Sequence, residues 1–234
     1  MEWKSEHTDH VLQLRETMQW EMGLPVMPGG VEKFYRNETS WHRNWKMAFP
    51  QSFREKAFVD CITGEIHRGD VYTPCGTTLE FQNSPITAAE ILSRESFYSK
   101  LIWIVNGKKL KGFRVLKNMP DIEDPILSDY EFIHSDHLAL ISKQDILSGK
   151  LPRPINMNHP ALKQLKIGAK YYSFCWKNPH SAWFSARGRI IVDMGGHFLY
   201  EIRKRTQSNG DYAFLQLHSR KGFIEQFLNQ PHQV

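Results

Sequence analysis

A chain of 234 residues, 41% of them hydrophobic, has enough apolar material to bury a core, which excludes an intrinsically disordered chain and a disulfide-dependent mini-protein. Its formal net charge of +5 favours an anionic partner without demanding one. Three cysteines, Cys61, Cys75 and Cys175, are odd in number and widely spaced, which excludes a disulfide framework and a CxxC zinc site.

The opening residues, MEWKSEHTDH, are too polar for a signal peptide, and no apolar run approaches the ~20 residues of a membrane span. The expectation is a cytoplasmic protein with reduced thiols and no membrane partner. From His10 to Met22, Val11, Leu14, Met18 and Met22 recur at helical spacing and predict a short amphipathic helix, which the Pro and Gly residues from Pro25 to Gly30 end. A second helix is predicted from Glu32 or Glu38 to Phe49. There Trp41, Trp45 and Phe49 recur every fourth residue as a core stripe, and Glu38, His42 and Lys46 form a polar strip beside it. Taken alone, that strip has the pattern of a solvated helix face with i,i+4 charge pairing.

Lys56–Ile62 reads as a strand, and Gly64 supplies a turn. His67–Val71 and Leu79–Gln82 read as two further strands joined by the hairpin loop Thr73–Thr77. Side chains alternate along a strand, so Asp70, Glu80 and Gln82 emerge at one edge, with Glu80 and Gln82 on one face and Phe81 on the other. Thr87-x-x-Glu90 is a capping-box pattern and announces a helix carrying Ile91, Leu92, Arg94 and Tyr98. Arg94 is free there to pair with Glu90 or Glu95. Leu101–Val105 is a buried strand, which completes an α/β unit.

Lys100 to Pro120 holds six basic residues, Lys100, Lys108, Lys109, Lys111, Arg114 and Lys117, and no acid. Asp121-Ile-Glu-Asp reverses the sign, so a boundary is expected near Asn118, giving regions 1–118 and 119–234. Beyond it, Ser142 and Asn158 are expected to cap short helices, the second reaching Lys166. Tyr171–Trp176, Arg189–Met194, Phe198–Arg203 and Tyr212–Leu217 read as strands, with turns at Gly195-Gly196 and Ser208-Asn-Gly. A last helix runs from Lys221 to Asn229. Ile146–Val192 contains no acid. Its Lys163, Lys166, Lys170, Lys177 and Arg187, interleaved with Tyr171, Tyr172, Trp176, Trp183 and Phe184, have the composition of a nucleic-acid surface, although rings in such a run are more often core. Asp193 reads as a satisfied strand-end aspartate.

An aspartate and a glutamate converging from adjacent strands offer hard oxygen ligands, which suit Mg²⁺ or Mn²⁺ better than zinc. The histidines lack the HExxH or Cys/His spacing of a zinc hydrolase. The pattern Asp70-x9-Glu80-x-Gln82 resembles the core of the PD-(D/E)XK nuclease superfamily, with glutamine where lysine usually stands. More narrowly, HRGDV followed by LEFQNSPIT resembles the competence protein CoiA-like nucleases, Gly69 taking the place of a usual alanine. The resemblance spans about Glu38 to Ile104.

It implies an α/β, restriction-endonuclease-like core with a mixed central sheet flanked by helices, followed by a C-terminal α+β region. It implies a nuclease that hydrolyses phosphodiester bonds through a water activated by Mg²⁺ or Mn²⁺, with DNA as the expected substrate. Asp70, Glu80 and Glu38 would be the metal ligands, and Gln82, His42 and Lys46 would complete the catalytic set. Gln82 cannot exchange a proton near neutrality, so it orients water without acting as its base. Arg68 and Arg94 join Lys163, Lys166, Lys170, Lys177 and Arg187 as expected nucleic-acid contacts. The alternative is a non-catalytic nucleic-acid-binding protein acting in DNA uptake, recombination or phage defence. A homo-oligomer, or a partner protein of such a system, is a further expectation.

Overall fold

The computed structural model describes residues 38–60, 64–133, 138–149, 151 and 153–229. The helix expected over His10–Met22 and the thiol of Cys61 lie outside these residues. The chain forms two compact units. The first runs to Asn106 and adds His180–Ile190 and the segment from Phe223; the second comprises Gly107–Pro179 and Ile191–Gly222. Among the described residues no helix is long and apolar enough to cross a membrane.

The first unit is α/β. Helix α1 (Ser40–Met47) precedes the antiparallel strands β1 (Arg54–Val59), β2 (Ile66–Tyr72) and β3 (Thr78–Gln82). Helix α2 (Ala88–Phe97) then crosses to β4 (Leu101–Asn106), which pairs parallel to β3 from Thr78↔Leu101 to Gln82↔Val105. The sheet is therefore mixed, and the strand–helix–strand unit expected around Thr87 is present. The turn between β2 and β3 is closed by Thr73, whose Oγ1 accepts from Thr77 N and donates to Thr77 O, with Gly76 in the left-handed region at φ 77°. At the start of α2 both halves of the capping box form between Thr87 and Glu90. Every residue of β4 is buried, as a central strand covered on both faces should be.

Helix α1 is shorter than its periodicity predicts. Thr39 caps it, accepting from His42 N, so Glu38 lies before the helix and not on it. The core stripe holds: Trp45 is 0% exposed, and Phe49 is buried beside it. The Trp45 ring stacks on Phe81 with centroids 5.4 Å apart and meets Phe223 edge-on. Phe223 belongs to α4 (Arg220–Leu228), the last helix among the described residues. Trp41 is only half-buried.

The segment His180–Ile190 is held to this unit by one carboxylate. Glu95 of α2 accepts from Trp103 Nε1, Arg187 N and Gly188 N at 2.8–3.0 Å, and Trp183 packs edge-on against Trp103.

In the second unit an antiparallel sheet runs in the order β11 (Phe198–Arg205), β12 (Tyr212–Ser219), β9 (Ile167–Trp176) and β5 (Phe113–Pro120). Three short strands, β6 (Tyr130–Ile133), β7 (Ala139–Ser142) and β8 (Ile155–Asn156), form a second sheet. Its core gathers Met119, Leu127, Phe132, Leu140, Leu162, Tyr171 and Phe214. Helix α3 (Lys143–Leu147) follows Ser142, whose side chain makes no capping bond. The helix expected from Asn158 to Lys166 is a single 3-10 turn over Pro160–Leu162, capped by His159. Strand β10 (Arg189–Asp193) begins in the first unit and ends in the second.

A cut near Asn118 would fall inside β5. The reversal of charge at Asp121 marks the end of that strand, and the units are instead defined by distant segments that return to one another. Removing Trp45, whose ring is fully enclosed, should cost about 3–5 kcal/mol of unfolding free energy in Trp45→Ala, and Trp41→Ala should cost less, both read from urea denaturation midpoints.

Candidate active site

The site is built where two strands separate. Pairing between β2 and β3 is confined to Val71↔Leu79 and Tyr72↔Thr78. Towards Asp70 and Glu80 the ladder stops, while β2 continues along β1 to Ile66 and β3 continues along β4 to Gln82. Asp70 Oδ2 accepts from Phe81 N at 2.8 Å, taking a backbone donor that the interrupted ladder no longer satisfies. The notch opens into a cavity of about 530 Å³ lined by Glu38, His42, Lys46, Glu55, Arg68, Asp70, Glu80, Gln82 and Arg94, among others.

All six residues expected to be catalytic line this cavity. His42 Nε2 lies 2.9 Å from Asp70 Oδ2, and its Nδ1 lies 3.1 Å from Glu38 Oε1. Lys46 Nζ is 2.5 Å from Glu38 Oε1 and 2.5 Å from Glu55 Oε1. Glu38 therefore contacts His42 and Lys46, with the imidazole standing between it and Asp70. Gln82 lines the cavity and donates to Ser84 O at 2.7 Å.

Arg94, expected as a nucleic-acid contact, turns into the notch and binds Glu80 Oε2 at 2.9 Å. Its helix neighbours are engaged elsewhere, Glu90 in the cap and Glu95 on the backbone amides of Arg187 and Gly188. Arg68 reaches the same cavity, 3.9 Å from Glu55.

Glu80 is 5% exposed, and its Oε1 has no hydrogen-bond partner. Burial, then the negative charge of Asp70, push its carboxyl up to about 8; the charge and hydrogen bond of Arg94 oppose this but do not cancel it. Burial also lowers the affinity of Lys46 for its proton, yet hydrogen bonds to Glu38 and Glu55 and the charge of Asp70 outweigh it and hold the ammonium above the ordinary lysine range. Lys46 is consequently a fixed positive charge. Burial and the charge of Glu80 push the Tyr98 phenol up as well.

Gly69 is not an interchangeable small residue at this place. A Cβ on it would come within 2.8 Å of Thr78 Cγ2 and 3.4 Å of the Tyr98 hydroxyl, and Thr78 is itself buried. An alanine would force the β2–β3 contact to shift.

The remaining expected contacts are exposed. Arg187 in the first unit is solvent-facing, and so are Lys163, Lys166, Lys170 and Lys177 in the second. Lys170 lies over the Tyr171 ring at 4.8 Å. Of the interleaved rings, Tyr171 and Trp183 are buried, Tyr172 and Trp176 are half-buried, and Phe184 is 71% exposed. Asp193 is the satisfied aspartate its position suggests, accepting from Gly195 N and pairing with Arg220. Glu55 escaped the sequence analysis because it stands one residue before the strand expected from Lys56, and no spacing links it to Lys46.

Comparison with known protein families, with curated proteins and with solved structures yields no match. Among the described residues no three His, Cys, Asp or Glu side chains form a ready-made metal cage. The pair Asp70–Glu80, with a buried oxygen that lacks a partner, nevertheless fits a hard cation by donor chemistry.

The raised carboxyl of Glu80 gives a signed pH dependence. Between the ordinary carboxyl range and about 8, the native state keeps a proton that the unfolded state releases, so stability falls as pH rises through that window. Measured in a chelator, the difference in unfolding free energy between wild type and Glu80→Gln should move on the order of 1 kcal/mol per pH unit in favour of the variant.

Proposed function

We propose that the protein is a divalent-metal-dependent nuclease that hydrolyses phosphodiester bonds, DNA first, and that its first unit is a PD-(D/E)XK core of the CoiA-like kind. One observation carries this reading. Two carboxylates from adjacent strands meet where the strands part, and one of them, Glu80, is buried with an unpartnered oxygen and a raised proton affinity. Two carboxyls so placed resist ionising together, and a cation with a preference for oxygen is what would let both do so.

Asp70 and Glu80 would hold Mg²⁺ or Mn²⁺, which when bound supplies a water of lowered pKa and neutralises charge at phosphorus. The protein's own groups do the rest. His42, braced by Glu38, fixes the Asp70 carboxylate. Lys46 is a donor to a phosphoryl oxygen and not a base, since an ammonium has no lone pair to accept a proton. Arg94 balances Glu80. Gln82, a neutral amide, orients water at the mouth of the notch. A binding protein that does not cleave would gain nothing for phosphate contacts from a half-buried aspartate set against a buried glutamate.

Purified protein incubated with linear, circular and single-stranded DNA should cleave with Mg²⁺ or Mn²⁺ and not with EDTA. Asp70→Asn and Glu80→Gln should abolish cleavage while keeping DNA binding, and the rise in melting temperature that Mn²⁺ gives the wild type should vanish in both. Wild-type cleavage by either variant, with contaminating nuclease excluded, would sink the assignment. DNA binding without cleavage under any cation would leave the non-catalytic alternative in its place.

The exposed lysines of the second unit are the proposed substrate track. Removing Lys163, Lys166 and Lys170 together should weaken DNA binding and flatten the slope of log K against log salt by about 0.7–0.9 per lysine, with the single-turnover rate at saturating DNA unchanged.

A further inference from the structure

Strand β1 flanks the notch and carries an irregularity that the reaction outlined above leaves unused. Glu55 has φ 52°, and it is the one described residue other than glycine with a positive φ. A side chain with a Cβ rarely holds the left-handed region unless its surroundings impose it. Its neighbours are regular: Arg54 pairs with Val71 and Lys56 with Gly69 in one unshifted register. Only the residue opposite Asp70 is turned.

What the turn achieves is visible at the carboxylate. Glu55 Oε1 accepts from Lys46 Nζ at 2.5 Å, and Glu38 Oε1 lies at the same distance from that ammonium. An ammonium has three hydrogens. One is donated to Glu55 and the charge also pairs with Glu38, on the wall of the cavity that Lys46 lines. A nearly buried ion pair contributes little net stability, because desolvation offsets much of the attraction. A strained backbone added to such a pair is a liability for the fold, and strain of this kind belongs to sites where geometry matters more than stability.

We propose that Glu55 is a positioning residue: by its turned backbone it holds the Lys46 ammonium at the acid pair, so that Lys46 supplies the phosphoryl-directed charge that the neutral Gln82 cannot. This rests on the nuclease reading. Glu55 acts through Lys46, whose ammonium would otherwise be left with Glu38.

The test uses the full chain with Glu55→Gln, Glu55→Gly, Lys46→Gln and the Glu55→Gln/Lys46→Gln pair. Single-turnover cleavage with Mn²⁺ at saturating DNA should fall roughly 10- to 100-fold in both Glu55 variants. DNA affinity in EDTA should stay at the wild-type value. Lys46→Gln should lose at least as much, and the double variant no more than Lys46→Gln alone, because the two residues act as one unit. Glu55→Gly should be no less stable than Glu55→Gln, since glycine relieves the turned backbone. The ¹⁵N signal of the Lys46 ammonium, protected between two carboxylates, should be visible in the wild type and broaden in Glu55→Gln. Wild-type rates in both Glu55 variants beside a slow Lys46→Gln would overturn the proposal, as would losses that merely track the folded fraction. Should the wild type cleave nothing, the nuclease reading falls and takes the catalytic half with it. The ammonium signal then decides the clamp alone: broadening upholds it, and no change removes it.

Discussion

The candidate site depends on the point at which β2 leaves β3. A paired ladder continued by two residues would have filled the notch with backbone hydrogen bonds and set Asp70 and Glu80 side by side as an ordinary cross-strand pair, which like charges disfavour. Because pairing stops at Val71↔Leu79, Asp70 can reach across and satisfy Phe81 N through its side chain. Glu80 stays on a strand whose other edge is fully paired with β4 and so remains buried. The cavity, the electrostatic tension in it and the unpartnered oxygen all follow from that early end to the ladder.

Charge balance then dictates the surroundings. Four carboxylates, Glu38, Glu55, Asp70 and Glu80, share one cavity with His42, Lys46, Arg68 and Arg94, and most members of the group have an opposite charge within ion-pair reach. Buried charges persist only when paired in this way. Apolar packing sets the angle at which they meet. Trp45 stacked on Phe81 clamps α1 to the face of β3, and His42 and Lys46, on the adjoining strip of the same helix, are carried to the notch as a consequence.

Helix α2 shows how one short segment can serve several partners. Arg94 turns to Glu80, while the next residue, Glu95, turns away to Trp103 and to the amides of Arg187 and Gly188. Consecutive residues on a helix point about 100° apart, so adjacent charges reach opposite sides of the element. Tyr98, four residues beyond Arg94, reaches Gly69 with its hydroxyl, while the methyl of Thr78 is what leaves no room for a Cβ there.

Much of this was legible in the sequence because it is local. The capping box at Thr87, the hairpin about Gly76, the buried run Leu101–Val105 and the Trp45/Phe49 stripe are each encoded within a few residues, and each formed as its spacing predicts. Period-2 alternation likewise brought Asp70, Glu80 and Gln82 to one edge. What only the tertiary structure decided is the partner of each charge. Arg94 had Glu90 and Glu95 within reach on its own helix, and the packing of α2 on the sheet selected Glu80 instead. Glu38 lay at helical spacing from His42, yet the Thr39 cap placed it before the helix, where it braces His42 and Lys46 and stands apart from Asp70. Glu55 gave no signal at all, since its role comes from one backbone angle and from the strand opposite. The two units, too, are assembled from segments far apart in the chain, so no shift in composition could mark their borders. Spacing along a chain records which residues share a face; which charge meets which is settled by distances that only folding creates.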